Sequence, residues 1–211
     1  MKIATLILAC VLVAIGATAC SSDAAKKNVR IRAVQSIQTA AFSRPETTVE
    51  QFLTWYAPKR ESLGSLPMVP AWLSDDGDTT DTYKVDFKVV GQYLGVFKAS
   101  GFVSENYLFN EQKGFQRADS VMRANRQFGG PAEGLNYDRV VFSQDPDADL
   151  AKLLRTKPLV ATRGDTSRVF FSQLPKPEDL REGADLEFLL IKQQDKWVIE
   201  GIRPVFASLK L

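Results

Sequence analysis

Asp138 stands between Tyr137 and Arg139, just after the Gly130-Pro131-Ala132-Glu133-Gly134 bend, where loop backbone often presents functional groups. A carboxylate of raised pKa beside a hydrogen-bond donor for a developing oxyanion could serve an isomerase or hydrolase, and Asp138 with a tyrosine supplies those types. The plainer reading, a turn-forming aspartate and an exposed arginine, carries more weight. Trp55, Tyr56, Tyr93 and Trp197 offer flat surfaces and a few polar handles that could line an apolar ligand pocket, against the plainer role of core residues with one edge in water. Asp145, Asp147 and Asp149 alternate as in some calcium loops, and Asp75-Asp76-Gly77-Asp78 with Asp81 forms a second acidic cluster of hard oxygen donors. Neither has the glycine and terminal bidentate glutamate of the helix-loop-helix calcium motif. Both read as solvated loops, with Asp147 or Asp149 capping a helix, and no metal is assigned.

What is missing excludes more than what is present suggests. The chain has no histidine, which removes Ser-His-Asp and Cys-His catalysis, histidine-ligated zinc and histidine-based pH switching together. No phosphate-cradling glycine loop or nucleophile elbow occurs, and no cofactor is called for. The Arg163-Gly164-Asp165 tripeptide is accounted for by a hairpin turn.

The N-terminus carries an address. Met1-Lys2, an apolar run from Ile3 to Ile15 of about 13 residues and the small-residue exit Gly16-Ala17-Thr18-Ala19 match a secretory signal peptide, whereas a membrane-spanning helix needs about 20 apolar residues. Ala17-Thr18-Ala19 before Cys20 resembles the lipobox of bacterial lipoproteins, in which the cysteine is acylated and becomes the new N-terminus. Ala17 stands where leucine is usual, and an ordinary Ala-x-Ala signal would be cut at the same bond. Several acyl chains on one cysteine make a durable anchor. With Ser21 after the cysteine, the resemblance implies an outer-membrane lipoprotein facing the periplasm in a Gram-negative cell.

This divides the chain into a signal peptide (1–19), a lipidated Cys20 with a polar, Ala-rich tether (20–44), and one domain (45–211) large enough to bury a core unaided. Cleavage removes Lys2 as its only charge, so 27 basic residues become 26 against 25 acidic ones. That near-neutral balance argues against nucleic acid and against electrostatic membrane binding. Cys10 leaves with the signal, so the domain has no disulfide and depends on packing.

The elements that must position the candidate residues follow from hydrophobic spacing. Thr47 with Glu50 forms a capping-box pattern, and Val49, Phe52, Leu53 and Tyr56 fall on one helical face that Pro58 limits. A short helix over Val34 to Phe42 and a turn at Ala71-Trp72-Leu73 are also expected. A second helix is predicted over about Tyr83 to Ala99, with Phe87, Val90, Leu94 and Phe97 on one face. The alternation of Val85, Phe87 and Val89 leaves a strand start as a competitor. Ser104 caps a third helix to about Gln127, with Leu108, Phe115, Ala118, Val121 and Met122 apolar, and Gly129-Gly130-Pro131 ends it. The period then becomes alternating. Strands are expected at Arg139 to Phe142, Leu159 to Thr162, Ser167 to Gln173, Asp185 to Lys192 and Lys196 to Phe206, with a short helix from Leu150 to Arg155. Helices first and an antiparallel meander afterwards imply an α+β fold, the helices packed on a curved, mainly antiparallel sheet of four to five strands.

The helix ending in Phe52-Leu53-Thr54-Trp55-Tyr56 and the hairpin Leu186 to Ile202, with Asp195-Lys196-Trp197-Val198-Ile199-Glu200-Gly201-Ile202, resemble the cone-shaped α+β domains of the nuclear transport factor two-like superfamily. Ser100-Gly101-Phe102-Val103-Ser104 and Gly130-Pro131-Ala132-Glu133-Gly134-Leu135-Asn136-Tyr137-Asp138 are similar to its small exported bacterial members. The resemblance spans roughly residues 45 to 206 and implies a sheet curled around helices, often with a pocket in the cone. Members include enzymes, ligand carriers, dimerisation modules and toxin-immunity proteins, so fold alone does not decide function.

The sequence therefore favours a lipid-anchored binding or interaction domain in the cell envelope, without catalytic activity. Its partners are the membrane, through the N-terminal lipid, and an unidentified protein or small molecule, with a homodimer also open. A cone-fold isomerase or hydrolase using Asp138 and a tyrosine is the rival, and an immunity protein against a secreted toxin is a special case of the first reading.

Overall fold

Pro45 opens the first helix because its fixed φ suits a first turn that needs no N–H partner. The computed structural model describes residues 44–70, 82–172 and 185–205, all within one compact unit. Cys20, the tether, the turn expected at Ala71-Trp72-Leu73 and the acidic cluster Asp75 to Asp81 lie outside the described residues.

Helix α1 runs Pro45–Tyr56, and a 3-10 turn, Ala57–Lys59, leads into the short α2, Arg60–Gly64. The N-cap is Arg44 rather than Thr47: with proline at the first position the helix starts three residues earlier, and the capping-box residues Thr47 and Glu50 fall inside the helix. Val49, Phe52, Leu53 and Tyr56 are buried together, as their spacing requires.

Helix α3 runs Phe87–Ser100, capped by Asp86, whose side chain accepts from the N–H groups of Lys88 and Val89. That cap decides between helix and strand at Val85 to Val89: residues 82–86 have neither form, and the helix begins at Phe87. Its buried face is Val90, Tyr93 and Phe97, and Phe87 is exposed. Gly101, with φ of 71°, ends it in the left-handed conformation that glycine adopts without steric cost. Ser104 then caps α4, Glu105–Ala124, by accepting from Tyr107 N–H. Helix α5, Pro146–Leu153, is capped by Asp145, not by Asp147 or Asp149, because Pro146 at the first position sets the start.

Four strands follow: β1 (Leu159–Arg163), β2 (Thr166–Phe171), β3 (Asp185–Gln193) and β4 (Lys196–Val205), paired antiparallel in the order β1-β2-β3-β4. Two-residue turns join β1 to β2 at Gly164-Asp165 and β3 to β4 at Gln194-Asp195, the latter with both residues at positive φ, the combination a type I′ hairpin turn demands. The strand expected at Arg139 to Phe142 does not form. Asp138 Oδ1 accepts from both Val140 and Val141 N–H, curling the segment into a turn with Phe142 at φ 53°, and pairing survives only as an isolated bridge between Asp138 and Ser143. The fold is α+β, with four strands in the described sheet.

Helix α1 packs against β2 and β4, and α4 against α3 and β4. Val169, Phe171, Leu186, Phe188, Leu190 and Ile199 meet the helices in one core. Phe52 sits at its centre, with Trp55, Tyr56, Phe97, Phe102 and Phe188 around it at ring-centroid distances of 5.9 to 6.3 Å. Aromatic rings therefore fill the space between α1 and the sheet. Residues 102–104 run beside β4, with Ile199 N–H donating to Phe102 O (2.8 Å) and Ser104 N–H to Ile199 O (2.9 Å). At Leu189/Leu190 the register slips, leaving Glu200 as an extra residue whose carboxylate takes Ser104 Oγ–H (2.5 Å) and the Asn106 amide. No helix among the described residues is long and apolar enough to cross a membrane.

Candidate functional site

A cavity of about 110 Å³ opens among the helices, walled by Tyr56 from α1, Leu63 and Gly64 from α2, Met68 and Val69 beyond it, Tyr93 from α3, Phe115 from α4, and the loop residues Leu135, Tyr137, Asp138 and Arg139. No strand contributes to its wall. The elements meet here because the chain continues from α1 through the 3-10 turn Ala57–Lys59 into α2, which brings Leu63 and Gly64 to the wall, while the Asp138 turn folds the loop after α4 back against Tyr56.

Tyr56 and Asp138 are the polar centre. The Tyr56 hydroxyl donates to Asp138 Oδ2 at 2.6 Å, while Oδ1 holds the turn through Val140 and Val141. The Tyr56 hydroxyl is pushed far above its ordinary pKa, first by burial and then by the Asp138 carboxylate, so it stays a neutral donor. Tyr93 is shifted upward as well, chiefly by burial, then by the Glu111 carboxylate against the opposing pull of Arg139.

Arg139 turns away from solvent and lies along α4. Its Nε donates to Glu111 at 2.7 Å, and its guanidinium carbon is 4.7 Å from the centre of the Phe115 ring. Burial opposes its charge, but Glu111 outweighs that and raises its pKa, fixing Arg139 as a cation. Gly114 makes the approach feasible: a Cβ at that position would stand 2.5 Å from Arg139 Nη2. Behind this pair the Tyr107 hydroxyl is buried with no hydrogen-bond partner among the described residues, and burial drives its pKa well upward.

Of the residues singled out from sequence, Tyr56, Tyr93, Tyr137, Asp138 and Arg139 share this cavity wall. Trp55 and Trp197 do not. Trp55 stacks at the edge of the aromatic core with Lys59 Nζ 5.2 Å over its ring, and Trp197 is buried in β4. Asp145 caps α5 and Asp147 pairs with Arg60 at 2.7 Å. Among the described residues no three acidic, cysteine or histidine side chains group as a metal site.

Glu111 and Tyr107 went unnoticed in the sequence, although a signal was there. Tyr107, Glu111, Phe115, Ala118 and Met122 form one stripe at steps of four and three, so Glu111 interrupts a face that is otherwise buried. A carboxylate in that position needs a cation, and Arg139 is the one that reaches it.

No family model matches the chain, and no curated protein or solved structure is similar to it.

Proposed function

We propose that this is a binding domain tethered to the cell envelope by an acylated Cys20, taking a small molecule into the cavity beside Tyr56 and Asp138. The observation that carries the binding part is the wall itself: apolar and aromatic side chains enclose a few converging polar groups, the composition of a small-ligand site. The anchoring part rests on the signal-like run before Cys20 and the small residues around the cleavage point. Kinship with the nuclear transport factor two-like superfamily belongs to the same proposal and rests on the residues of α1 and of the β3–β4 hairpin.

Gly64 gives a clean test. It lines the cavity, and a Cβ there meets nothing within 4 Å, so the side chain of Gly64→Trp starts into open space and adds bulk at the wall. Fragments found by thermal shift on the full chain in detergent are expected to lose binding in Gly64→Trp while the unliganded melting temperature holds. A screen without hits would sink the binding reading. Metabolic labelling with a fatty-acid analogue, expected on the wild type and absent from Cys20→Ser, tests the anchor separately.

The Tyr56–Asp138 contact also favours a second reading, an isomerase or hydrolase in which that pair handles a proton. Both Asp138 oxygens already hold hydrogen bonds that shape the loop, so the carboxylate has a structural duty in either case. Turnover of any cavity ligand by the wild type, abolished in Asp138→Asn, would replace the binding reading with this one.

A further inference from the structure

Charge decides which class of molecule the cavity takes. Arg139 is matched by Glu111, their side chains only 14% and 12% exposed. Asp138 receives hydrogen bonds from one hydroxyl and two backbone N–H groups, and among the described residues no lysine or arginine forms an ion pair with it. The polar centre therefore holds one negative charge without a counter-charge, in a partly buried place where such a charge is costly to leave unmatched. The open hydrogen-bonding positions point the same way. Asp138 Oδ2 carries one of the roughly two hydrogen bonds it can accept, and the Tyr56 oxygen, its proton committed to Asp138, has lone pairs to offer. The wall also holds the aromatic rings of Tyr56, Tyr93 and Tyr137, a side-chain type that attracts cations, as Phe115 already does for Arg139.

Resting on the binding reading above, we infer that the occupant is a small primary ammonium with a compact apolar tail. Its charge answers Asp138, and its three N–H donors suit the carboxylate and the phenol oxygens. Its tail lies against Leu63, Met68, Val69 and Leu135. At about 110 Å³ the space is smaller than the ~150 Å³ cavity known to admit the six carbons of benzene, which leaves room beside the ammonium for a tail of about three carbons. A carboxylate ligand of the same size would face Asp138, and the donors open to it are the Tyr93 and Tyr137 hydroxyls and the N–H groups of an arginine whose charge Glu111 already balances.

The test is calorimetric titration of the full chain in detergent with three matched probes at neutral pH: propylamine, propan-1-ol and propanoate. The amine is expected to bind at least about tenfold more tightly than the alcohol, the scale of a charge-assisted hydrogen bond, and the carboxylate not at all. Asp138→Asn keeps an amide oxygen for Val140 and Val141 N–H, and is expected to bring the amine down to the level of the alcohol. Alcohol or carboxylate binding as tightly as amine, or amine affinity unchanged in Asp138→Asn, overturns the ammonium assignment and leaves the cavity a binding site of another class. Failure of all three probes overturns both. The ranking on the unaltered protein decides the matter even where the variant does not fold.

Discussion

The Tyr107 hydroxyl is a polar atom enclosed without a partner among the described residues, close behind a buried ion pair. Such a group has lost its water and gained nothing in return, which costs about 1–3 kcal/mol. Tyr107→Phe keeps the ring that packs on Phe97 and removes only that oxygen. It is expected to raise stability by about 1 kcal/mol, read as a higher urea midpoint at unchanged slope. A lower midpoint would mean that the hydroxyl has a partner after all. At this scale the sequence was informative about residue types but silent about their meeting. Asp138 and Tyr56 each stood out, yet they lie 82 positions apart, and only the packing of α1 against the loop after α4 joins them.

Helices α3 and α4 carry three glycines whose surroundings differ. Gly91 and Gly95 lie on the exposed side of α3, and a Cβ at either meets nothing within 4 Å, whereas at Gly114 of α4 it meets Arg139. Replacing a mid-helix glycine by alanine gains roughly 0.5–1 kcal/mol when nothing obstructs it. Gly91→Ala and Gly95→Ala are therefore expected to raise the melting temperature, and Gly114→Ala to leave it unchanged or lower it by pushing the guanidinium off Glu111. Equal gains at all three would show that Arg139 yields freely. Elements were legible where one period dominated: α4 and both hairpins fall close to their expected bounds. They were misread where a side chain overrode the pattern. Pro45 moved the start of α1, Asp86 settled the contest at Val85 to Val89, and the Asp138 carboxylate bent an apolar run into a turn.

Over the whole molecule, Tyr56, Tyr93 and Tyr107 are all held above the ordinary phenol value of 10.0, with burial the largest cause for each. The folded chain thus keeps protons that the unfolded chain loses once the pH passes about 10. The stability involved is fully present below that value and falls as the pH climbs above it, by up to about 1.4 kcal/mol per pH unit for each tyrosine. Urea unfolding across pH 8 to 11 should show a flat region followed by a steep decline, with tyrosinate absorbance appearing together with unfolding. Tyrosinate forming in these three well before unfolding would contradict their burial. The α+β class was legible because helical and alternating periods occupy separate halves of the chain. The position of the cavity was not, since no local pattern says that the loop after α4 will reach Tyr56.

The coverage of β2 and β4 by α1 has a bearing on how the chain is made. Helix α1 emerges from the ribosome first of the described elements, and the strands that bury Phe52 emerge last. Until β3 and β4 exist, Val49, Phe52 and Leu53 have no sheet to lie on, while each hairpin can close as soon as its own residues appear. Docking of α1 on the sheet is then a long-range event of folding, and until the strands are made Val49, Phe52 and Leu53 lack their cover on that side.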